Sequence, residues 1–220
     1  MCEHRGEKMK KSDASFLKNV NGAYIDKRAS VGEGVIIYPN SYILGETIIG
    51  NNTIIYPNTT VENSVIGSNC EIKSSYIEDS TIGDEVIIGP YAHLRPNSNI
   101  GNKCKIGNFV EIKNATLKEG TKASHLAYVG DVDVGEDCNI GCGAIFVNYN
   151  GKSKNRSVIG DNVFIGSNCN VIAPVNIASN SYICAGTTIT VDTKNDDFVI
   201  GRAREIVKNN RAHKYLKEMR

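Results

Sequence analysis

The middle of the chain holds the side chains best suited to acid–base and anion-binding chemistry. Arg95 and Lys113 are two cations that could share an anion such as a phosphate. His125 is the type of residue that acts as a general base near neutral pH, because a free histidine has a pKa of about 6.5. Tyr128 follows, and an amide-rich stretch begins at Asn148. These residues predict a site that binds a small anion and removes a proton from it, provided that the fold brings them together.

A six-residue repeat runs from Ile25 to Ile189 and would position these side chains. A large aliphatic residue recurs at this spacing, with a few steps of five and one of thirteen, and the residue two positions earlier is small or β-branched. A helix would repeat at about 3.6 residues and an ordinary strand at 2. Six-residue units, each a short strand followed by a tight turn, can instead wind into a solenoid with three units per coil. Gly and Asn then occupy the corners, where the backbone needs positive φ. The pattern predicts a triangular all-β solenoid of about nine coils, roughly 40 Å long.

Three segments follow from where the repeat starts and stops. The solenoid is expected over residues 23–192, after a leader or short helix in residues 1–22 (with the helix over Glu7 to Leu17). Residues 193–220 are expected to form a C-terminal segment that ends in a short basic helix from Ala203. The apolar residues available to dock this helix are Ile206, Tyr215 and Leu216.

Composition narrows the possible partners. The net charge is +1, so no global charge favours nucleic acid or a membrane surface. The first residues are charged and lack the apolar core of a signal peptide, and no stretch is long enough to span a membrane. We expect a cytoplasmic protein with small-molecule ligands.

The cysteines do not indicate a metal site. The seven cysteines include no Cys-x-x-Cys pair, and four of them share the small interior position of the repeat: Cys70, Cys104, Cys138 and Cys169. Cys142 has a different place, near His125, so an acyl-enzyme route through a Cys–His pair stays open as an alternative.

Counting units by threes predicts which distant residues share a face. One corner should carry the column Asn108, His125, Cys142, Ser167 and Ala185. On the next wall Arg95 should lie below Lys113, with Tyr128 and then the insertion Asn148–Arg156 beyond them. The small residues above His125 form a smooth strip along which an extended ligand could lie.

Several motifs occur between Ile82 and about Arg202: Gly89-Pro90-Tyr91-Ala92, Leu94-Arg95-Pro96, Gly107-Asn108-Phe109-Val110-Glu111-Ile112-Lys113, Lys122-Ala123-Ser124-His125-Leu126, Tyr128-Val129-Gly130-Asp131, Asn139-Ile140-Gly141, Asn148-Tyr149, Gly166-Ser167, Ala173-Pro174-Val175 and Ala185-Gly186-Thr187-Thr188. In these motifs the chain resembles the acetyltransferase domain of the bacterial bifunctional enzymes that combine N-acetylglucosamine-1-phosphate uridyltransferase with glucosamine-1-phosphate N-acetyltransferase. The resemblance implies a left-handed parallel β-helix with a short C-terminal helix. It also implies a homotrimer and acetyl transfer from acetyl-CoA to glucosamine 1-phosphate without a metal, which gives N-acetylglucosamine 1-phosphate for the synthesis of UDP-GlcNAc, a peptidoglycan precursor.

The resemblance also assigns roles to residues, motif by motif. His125 corresponds to the proton acceptor, and Glu111 could orient its imidazole. The residues that correspond to the sugar-phosphate side are Arg95, Lys113, Tyr128, Asn139 and Asn148. The residues that correspond to the acetyl-CoA side are Cys142, Asn148, Tyr149, Lys154, Ser167, Ala185 and Arg202.

Departures from the family pattern leave alternatives open. The nucleotide-binding domain of the family has no counterpart in this sequence, so uridyltransferase activity is not expected. Cys142 stands where the family usually has alanine, and His93 replaces a common arginine. The acceptor could be another amino sugar or a sugar nucleotide, and the chain could be a non-catalytic trimerising module of a sugar nucleotidyltransferase. A carbonic anhydrase on the same fold would need three metal-binding histidines, whereas only His93 and His125 lie in the coils.

Overall fold

The protein is a three-walled parallel β-solenoid. The structure is a computed structural model that describes residues 17–20 and 22–215. The first strand, β1 (Leu17–Val20), pairs antiparallel with β2 (Ala23–Asp26), and every later pairing between strands in the described residues is parallel. The predicted short helix falls mostly on residues 7–16, which lie outside the described residues.

Each wall is a stack of short strands, and successive strands of a wall come from successive coils of the chain. Wall A comprises β4 (Ile36–Ile37), β7 (Ile54–Ile55), β10 (Glu71–Ile72), β13 (Ile87–Ile88), β18 (Asn139–Ile140), β21 (Phe164–Ile165), β24 (Tyr182–Ile183) and β26 (Phe198–Val199). Wall B comprises β2, β5 (Tyr42–Leu44), β8 (Thr60–Glu62), β11 (Tyr76–Glu78), β14 (His93–Leu94), β19 (Ile145–Val147), β22 (Asn170–Ile172) and β25 (Thr188–Ile189). Wall C comprises β3 (Ser30–Val31), β6 (Ile48–Ile49), β9 (Val65–Ile66), β12 (Thr81–Ile82), β15 (Ser98–Ile100), β20 (Ser157–Ile159) and β23 (Asn176–Ile177).

Two strands run through all three walls without a break. They are β16 (Lys105–Leu117) and β17 (Lys122–Val134), which pair with each other in parallel along most of a coil. The corners of these two coils are therefore held by inter-coil hydrogen bonds as well as the walls. This part of the solenoid carries the predicted catalytic histidine.

The interior confirms the two positions of the repeat. The aliphatic residues from Ile43 to Ile189 fill the prism, with Ile43, Ile72, Leu94 and Ile112 completely buried. The small residues are buried beside them, and the hydroxyl of Thr53 donates to the carbonyl of Gly67 in the next coil. Burial of the Thr53 hydroxyl thus costs little, because a carbonyl of the neighbouring coil accepts its hydrogen bond. The four cysteines of the repeat are buried free thiols, and burial raises the pKa of the Cys104 thiol to about 11.

The corners use residues that tolerate a left-handed backbone. Asn40, Asn52, Asn58 and Asn69 have φ between 58° and 60° at equivalent places. Asparagine is the residue most often found there after glycine, since its short polar side chain bonds locally.

The prediction of a C-terminal helix is wrong for the described residues. Residues 203–215 contain only a 3₁₀ turn at Ala212–Lys214. Ile206 and Tyr215 are 83% and 86% exposed, and Leu216 lies outside the described residues. A short helix is marginal in water unless an apolar face docks, and the apolar side chains described in this segment are exposed instead. None of the helical structure in the described ranges is long and apolar enough to cross a membrane.

Candidate active site

The predicted column of residues exists at the corner where wall A meets wall B. Asn108 and His125 are direct partners in the β16–β17 register. Above them, the backbone N–H of Gly143 donates to the carbonyl of Leu126 at 2.6 Å, and the N–H of Asn168 donates to the carbonyl of Cys142 at 2.8 Å. The last step is a bond from the N–H of Gly186 to the carbonyl of Ser167 at 2.8 Å. His125, Cys142, Ser167 and Ala185 are all exposed, so the column presents its side chains to solvent along the edge of the prism.

Among the described residues, the imidazole of His125 makes one hydrogen bond, and it is not the predicted one. Its Nδ1 lies 2.8 Å from Oδ1 of Asn108, one coil below. Glu111, which we expected to orient the ring, instead accepts a hydrogen bond from Nη1 of Arg95 at 2.8 Å. The expectation about Glu111 is wrong in this structure because Glu111 sits on wall B, in line with His93 and Tyr128 and on the arginine's side of the corner.

Three cations gather on wall B and are called the cation cluster here: Arg95, Lys113 and Lys154. Leu94 pairs with Ile112, so Arg95 lies directly below Lys113 as predicted. The pKa of Lys113 is lowered from its ordinary value of 10.5, first by a side-chain contact with Lys154, then by partial burial and by the charge of Arg95. The contact with Glu111 raises the pKa of Arg95. An anion with two or more charges would relieve this repulsion, and a phosphate monoester fits that requirement.

A buried carboxylate organises the polar floor beside these cations. Asp131 is 7% exposed and accepts hydrogen bonds from Nδ2 of Asn114 and from Nδ2 of Asn148, both at 2.5 Å. Nδ2 of Asn148 also donates to the hydroxyl of Tyr128 at 3.2 Å. Because the amide N–H groups of Asn148 are both engaged, its Oδ1 is left to accept a hydrogen bond from a ligand. The sequence motif contained Asp131, but only the fold shows that it joins Asn114 to Asn148.

The insertion is an ordered loop fixed at both ends. At its start Asn148 is held by Asp131, and in its middle Tyr149 forms an isolated antiparallel bridge with Lys154. At its end the guanidinium of Arg156 bonds both carboxylate oxygens of Asp133 and the carbonyl of Asn114. The ion pair lowers the pKa of Asp133. Sequence reasoning missed this role of Arg156, although its place at the end of the insertion was the available signal.

The residues expected to contact acetyl-CoA lie around and above this loop. Nη1 of Arg202 donates to the carbonyl of Ala185 at 3.0 Å, which brings the guanidinium to the top of the column. Tyr149 is exposed on the insertion. Beside the column lies an open cavity of about 500 Å³, and its lining includes Phe109, Tyr128 and Asn168.

Asn139 does not join the other predicted sugar contacts within one chain. Its Cα partners are Lys122 and Phe164, so it lies on wall A, whereas Arg95, Lys113 and Tyr128 lie on wall B. The two walls meet at a convex corner, and their outer faces point away from each other. A ligand that touches both would need a second surface facing the corner.

Acid–base chemistry is what the assembled residues can support. The described residues contain no group of three or more His, Cys, Asp or Glu placed to hold a metal ion. A basic imidazole stands between a cation cluster on one flank and a strip of small residues above it. Such a site suits an anionic substrate whose amine or hydroxyl loses a proton as it attacks a group delivered along the strip.

Comparisons with known proteins agree with this fold and extend over most of the chain. A family model described as "Bacterial transferase hexapeptide (six repeats)" matches residues 28–63, 79–114 and 156–190. Curated relatives named Bifunctional protein GlmU include one from Caldicellulosiruptor saccharolyticus, 54% identical over 187 residues (85% of this chain and 40% of the relative). Another, from Clostridioides difficile (strain 630), is 47% identical over 190 residues (86% and 41%), and one from Clostridium kluyveri is 44% identical over 214 residues (97% and 47%). The chain spans less than half the length of these curated relatives.

Alignments with solved structures have low sequence identity. An Arabidopsis UDP-N-acetylglucosamine acyltransferase aligns with a TM-score of 0.47 and 21% identity, over 79% of this chain and 68% of that one. The chain contains hexapeptide repeats of the bacterial transferase type over the matched residues, which indicate a left-handed β-helix, and it is similar in sequence to the bifunctional GlmU proteins.

Proposed function

We propose that this chain is an acetyl-CoA-dependent N-acetyltransferase that acts on glucosamine 1-phosphate and releases N-acetylglucosamine 1-phosphate. The observation that carries the proposal is the position of His125, at a corner between the cation cluster and the column of small residues. The choice of glucosamine 1-phosphate as substrate comes from the resemblance of the motifs to the acetyltransferase domain of the bifunctional enzymes. The sequence similarity to GlmU proteins supports that choice.

The sugar phosphate is bound on wall B. The phosphate is held by Arg95 and Lys113, and the sugar is positioned by Tyr128 and by the free Oδ1 of Asn148. This arrangement is supported by the lowered pKa of Lys113, since a cation crowded by other cations gains most from a bound dianion. Asn139 contributes from the neighbouring copy's wall A.

The reaction is a direct transfer. Nε2 of His125 removes a proton from the 2-ammonium group, and the resulting amine attacks the thioester carbonyl of acetyl-CoA. The nitrogen of the tetrahedral intermediate still carries two protons and releases one of them to solvent. The intermediate then collapses, the carbon–sulfur bond breaks, and the thiolate takes up the proton from the imidazolium. The backbone N–H of Cys142 is suited to stabilise the oxyanion, because it donates to no other group within the described part of the chain. A neutral imidazole supplies the base, so the proposed reaction requires no metal.

The cosubstrate follows the edge of the prism. Acetyl-CoA lies along Cys142, Ser167 and Ala185, where small side chains leave room for its extended arm. Its phosphates meet Lys154 and Arg202, and Tyr149 packs against it from the insertion. The contact of Arg202 with the Ala185 carbonyl supports this path, because it places a cation beside the strip. We place the reaction in the cytoplasm, where acetyl-CoA and free thiols both occur.

The active form is proposed to be a homotrimer with its sites between neighbouring prisms. Two features of the single chain support a second copy at the corner. Phe109 and Leu126 are 57% and 58% exposed, at φ values of 58° and 36° that bulky residues rarely adopt. In addition, the convex corner cannot by itself enclose a ligand that reaches both walls.

The test is an acetylation assay with acetyl-CoA and glucosamine 1-phosphate that follows the release of free thiol. His125→Ala should lower kcat by about 10²- to 10⁴-fold, the range for loss of a general base, with the circular dichroism spectrum unchanged. His213→Ala, a change of an exposed histidine in the terminal segment, is the matched control and should keep full activity.

Three results would change the proposal. Equal rates for wild type and His125→Ala would contradict the role of the base and favour a non-catalytic module. Activity on another amino sugar or a sugar nucleotide, but not on glucosamine 1-phosphate, would change the acceptor. Near-total loss in Cys142→Ala, together with an acetylated protein in mass spectrometry, would favour an acyl-enzyme; we expect most activity to remain, because the proposed contribution of residue 142 is its backbone.

A further inference from the structure

We propose that Asn108 is the positioning residue of His125: its amide oxygen holds the imidazole in the tautomer that protonates Nδ1 and leaves Nε2 basic. The tautomer of His125 depends only on its contact with Asn108. The effect of that tautomer on catalysis rests on the proposed function.

The first observation is the contact itself. Oδ1 of Asn108 lies 2.8 Å from Nδ1 of His125, within the range of a good hydrogen bond. An amide oxygen can only accept, so the imidazole Nδ1–H donates. The other ring nitrogen of neutral histidine then carries a lone pair. Among the described residues this is the only hydrogen bond that the ring makes.

The second observation is that the backbone holds both residues in register. Asn108 and His125 are Cα partners inside the two longest strands of the solenoid, and the flanking pairs Ile106–Ala123 and Val110–Ala127 continue the ladder on both sides of the corner. The following residues, Phe109 and Leu126, both have positive φ, so the two corners share one turn geometry and send their side chains the same way. Elsewhere the strands are at most four residues long and stop at the corners.

The third observation concerns the competing carboxylate. Glu111 is occupied by Arg95, at 2.8 Å, and lies on wall B. A neutral partner has a different effect from a charged one, because a carboxylate would stabilise the imidazolium and so leave fewer of the rings unprotonated at neutral pH. An amide fixes the ring without adding charge. This suits a base that must be unprotonated when the ammonium arrives.

The experiment measures the tautomer directly in the full-length chain. Two-bond ¹H–¹⁵N correlation spectra of the histidine rings are recorded at pH 8.5, where neutral imidazole predominates, and the signals of His125 are assigned by their absence in His125→Ala. The chain has only four histidines, so the spectra are simple. We expect the Nδ1–H pattern for His125 in the wild type. Asn108→Leu should give a mixture rich in Nε2–H, and Asn108→Asp, which keeps an acceptor oxygen, should restore Nδ1–H.

Kinetics test the consequence. Asn108→Leu should lower kcat about 10-fold, the equivalent of one lost hydrogen bond, with little change in KM for either substrate. The same substitution at Asn99, an exposed residue on wall C, is the control for the loss of an exposed amide. Circular dichroism and thermal melting show whether each variant folds.

The results distinguish the positioning role of Asn108 from the proposed acetyltransferase function. An Nε2–H pattern in the wild type, or an unchanged tautomer in Asn108→Leu, would overturn the positioning role whatever the activity. A shifted tautomer with unchanged kcat would limit Asn108 to structure and refute its part in catalysis. If the wild-type chain acetylates no amino sugar, the proposed function fails, while the tautomer result still decides the structural claim.

Discussion

At the scale of single residues, each side chain's partner decides what it can do. Near the corner, His125 is hydrogen-bonded to the amide of Asn108, and Arg95 is hydrogen-bonded to the carboxylate of Glu111. The structure gives the carboxylate to the arginine and the amide to the histidine. The histidine therefore has an uncharged partner, whereas the charge of the arginine is partly compensated. The largest influence on the pKa of Lys113 is its contact with another lysine, Lys154, which lowers that pKa.

The lowered pKa of Lys113 predicts how substrate binding depends on pH. Lys113 should lose its proton below the ordinary lysine value of 10.5, so KM for glucosamine 1-phosphate should rise with pH earlier than for an unperturbed lysine. Lys154→Met removes the largest cause of the shift and should move this rise to higher pH. KM is measured against pH at saturating acetyl-CoA. Lys113→Arg is the control, because arginine keeps its charge throughout this range and should abolish the rise. The same pH profile in wild type and Lys113→Arg would contradict the prediction.

At the scale of structural elements, the insertion is the part that departs from the repeat, and it is anchored rather than loose. Asp131 links its first residue, Asn148, to the coil below through Asn114. The carbonyl of the same Asn114 receives a bond from Arg156 at the other end of the insertion. One asparagine thus connects both ends of the loop. A loop that carries Tyr149 and Lys154 to the site gains a defined position from this connection.

Removal of the arginine should loosen the loop without damage to the solenoid. Arg156→Ala loses the ion pair with Asp133 and two bonds to carbonyls, and leaves the Asn148 end in place. We expect KM for acetyl-CoA to rise several-fold, with faster hydrogen exchange of amides in residues 149–155 and an unchanged melting temperature of the coils. Lys152→Ala, on the same loop but with an exposed side chain, is the matched control. Unchanged exchange in the loop would show that the Asn148 end is sufficient.

At the scale of the whole molecule, the prism leaves several apolar groups uncovered. The segment after Ile200 lies in solvent, with Ile206 and Val207 both exposed, and the corner beside His125 carries Phe109 and Leu126. Exposed as they are, these apolar side chains add little to the stability of a single prism. A neighbouring copy would cover them and complete the site at the same time.

Substitution at the corner should therefore break the assembly. Phe109→Asn replaces an exposed aromatic with a residue that tolerates the left-handed backbone, so the single prism should remain folded. We expect light scattering after size-exclusion chromatography to show a shift from trimer toward monomer, with a loss of activity. Val158→Asn, at an exposed apolar position on wall C, is the control and should stay trimeric. A trimeric and active Phe109→Asn variant would place the interface elsewhere.

The sequence alone determined the architecture and the column of site residues. A six-residue period with two size classes is compatible with few structures, and in a stack of three-unit coils the count of units decides which residues are vertical neighbours. For that reason the pattern predicts the column of Asn108, His125, Cys142, Ser167 and Ala185, which the structure confirms. The predicted C-terminal helix is absent from the described residues, because a helical propensity in a short basic segment has no effect without a surface on which to dock.

Only the tertiary structure decided the partners within that column and around it. Spacing predicts the coil and the wall on which a side chain lies. A hydrogen bond depends on much smaller differences in distance, and on which of several neighbouring groups is best placed to form it. Glu111 was therefore expected at His125 and is found with Arg95, and neither Asp131 nor Arg156 was recognised as an anchor. Period and register follow from the pattern of apolar residues along the chain, whereas the polar contacts follow from the competition among side chains once the coils are stacked.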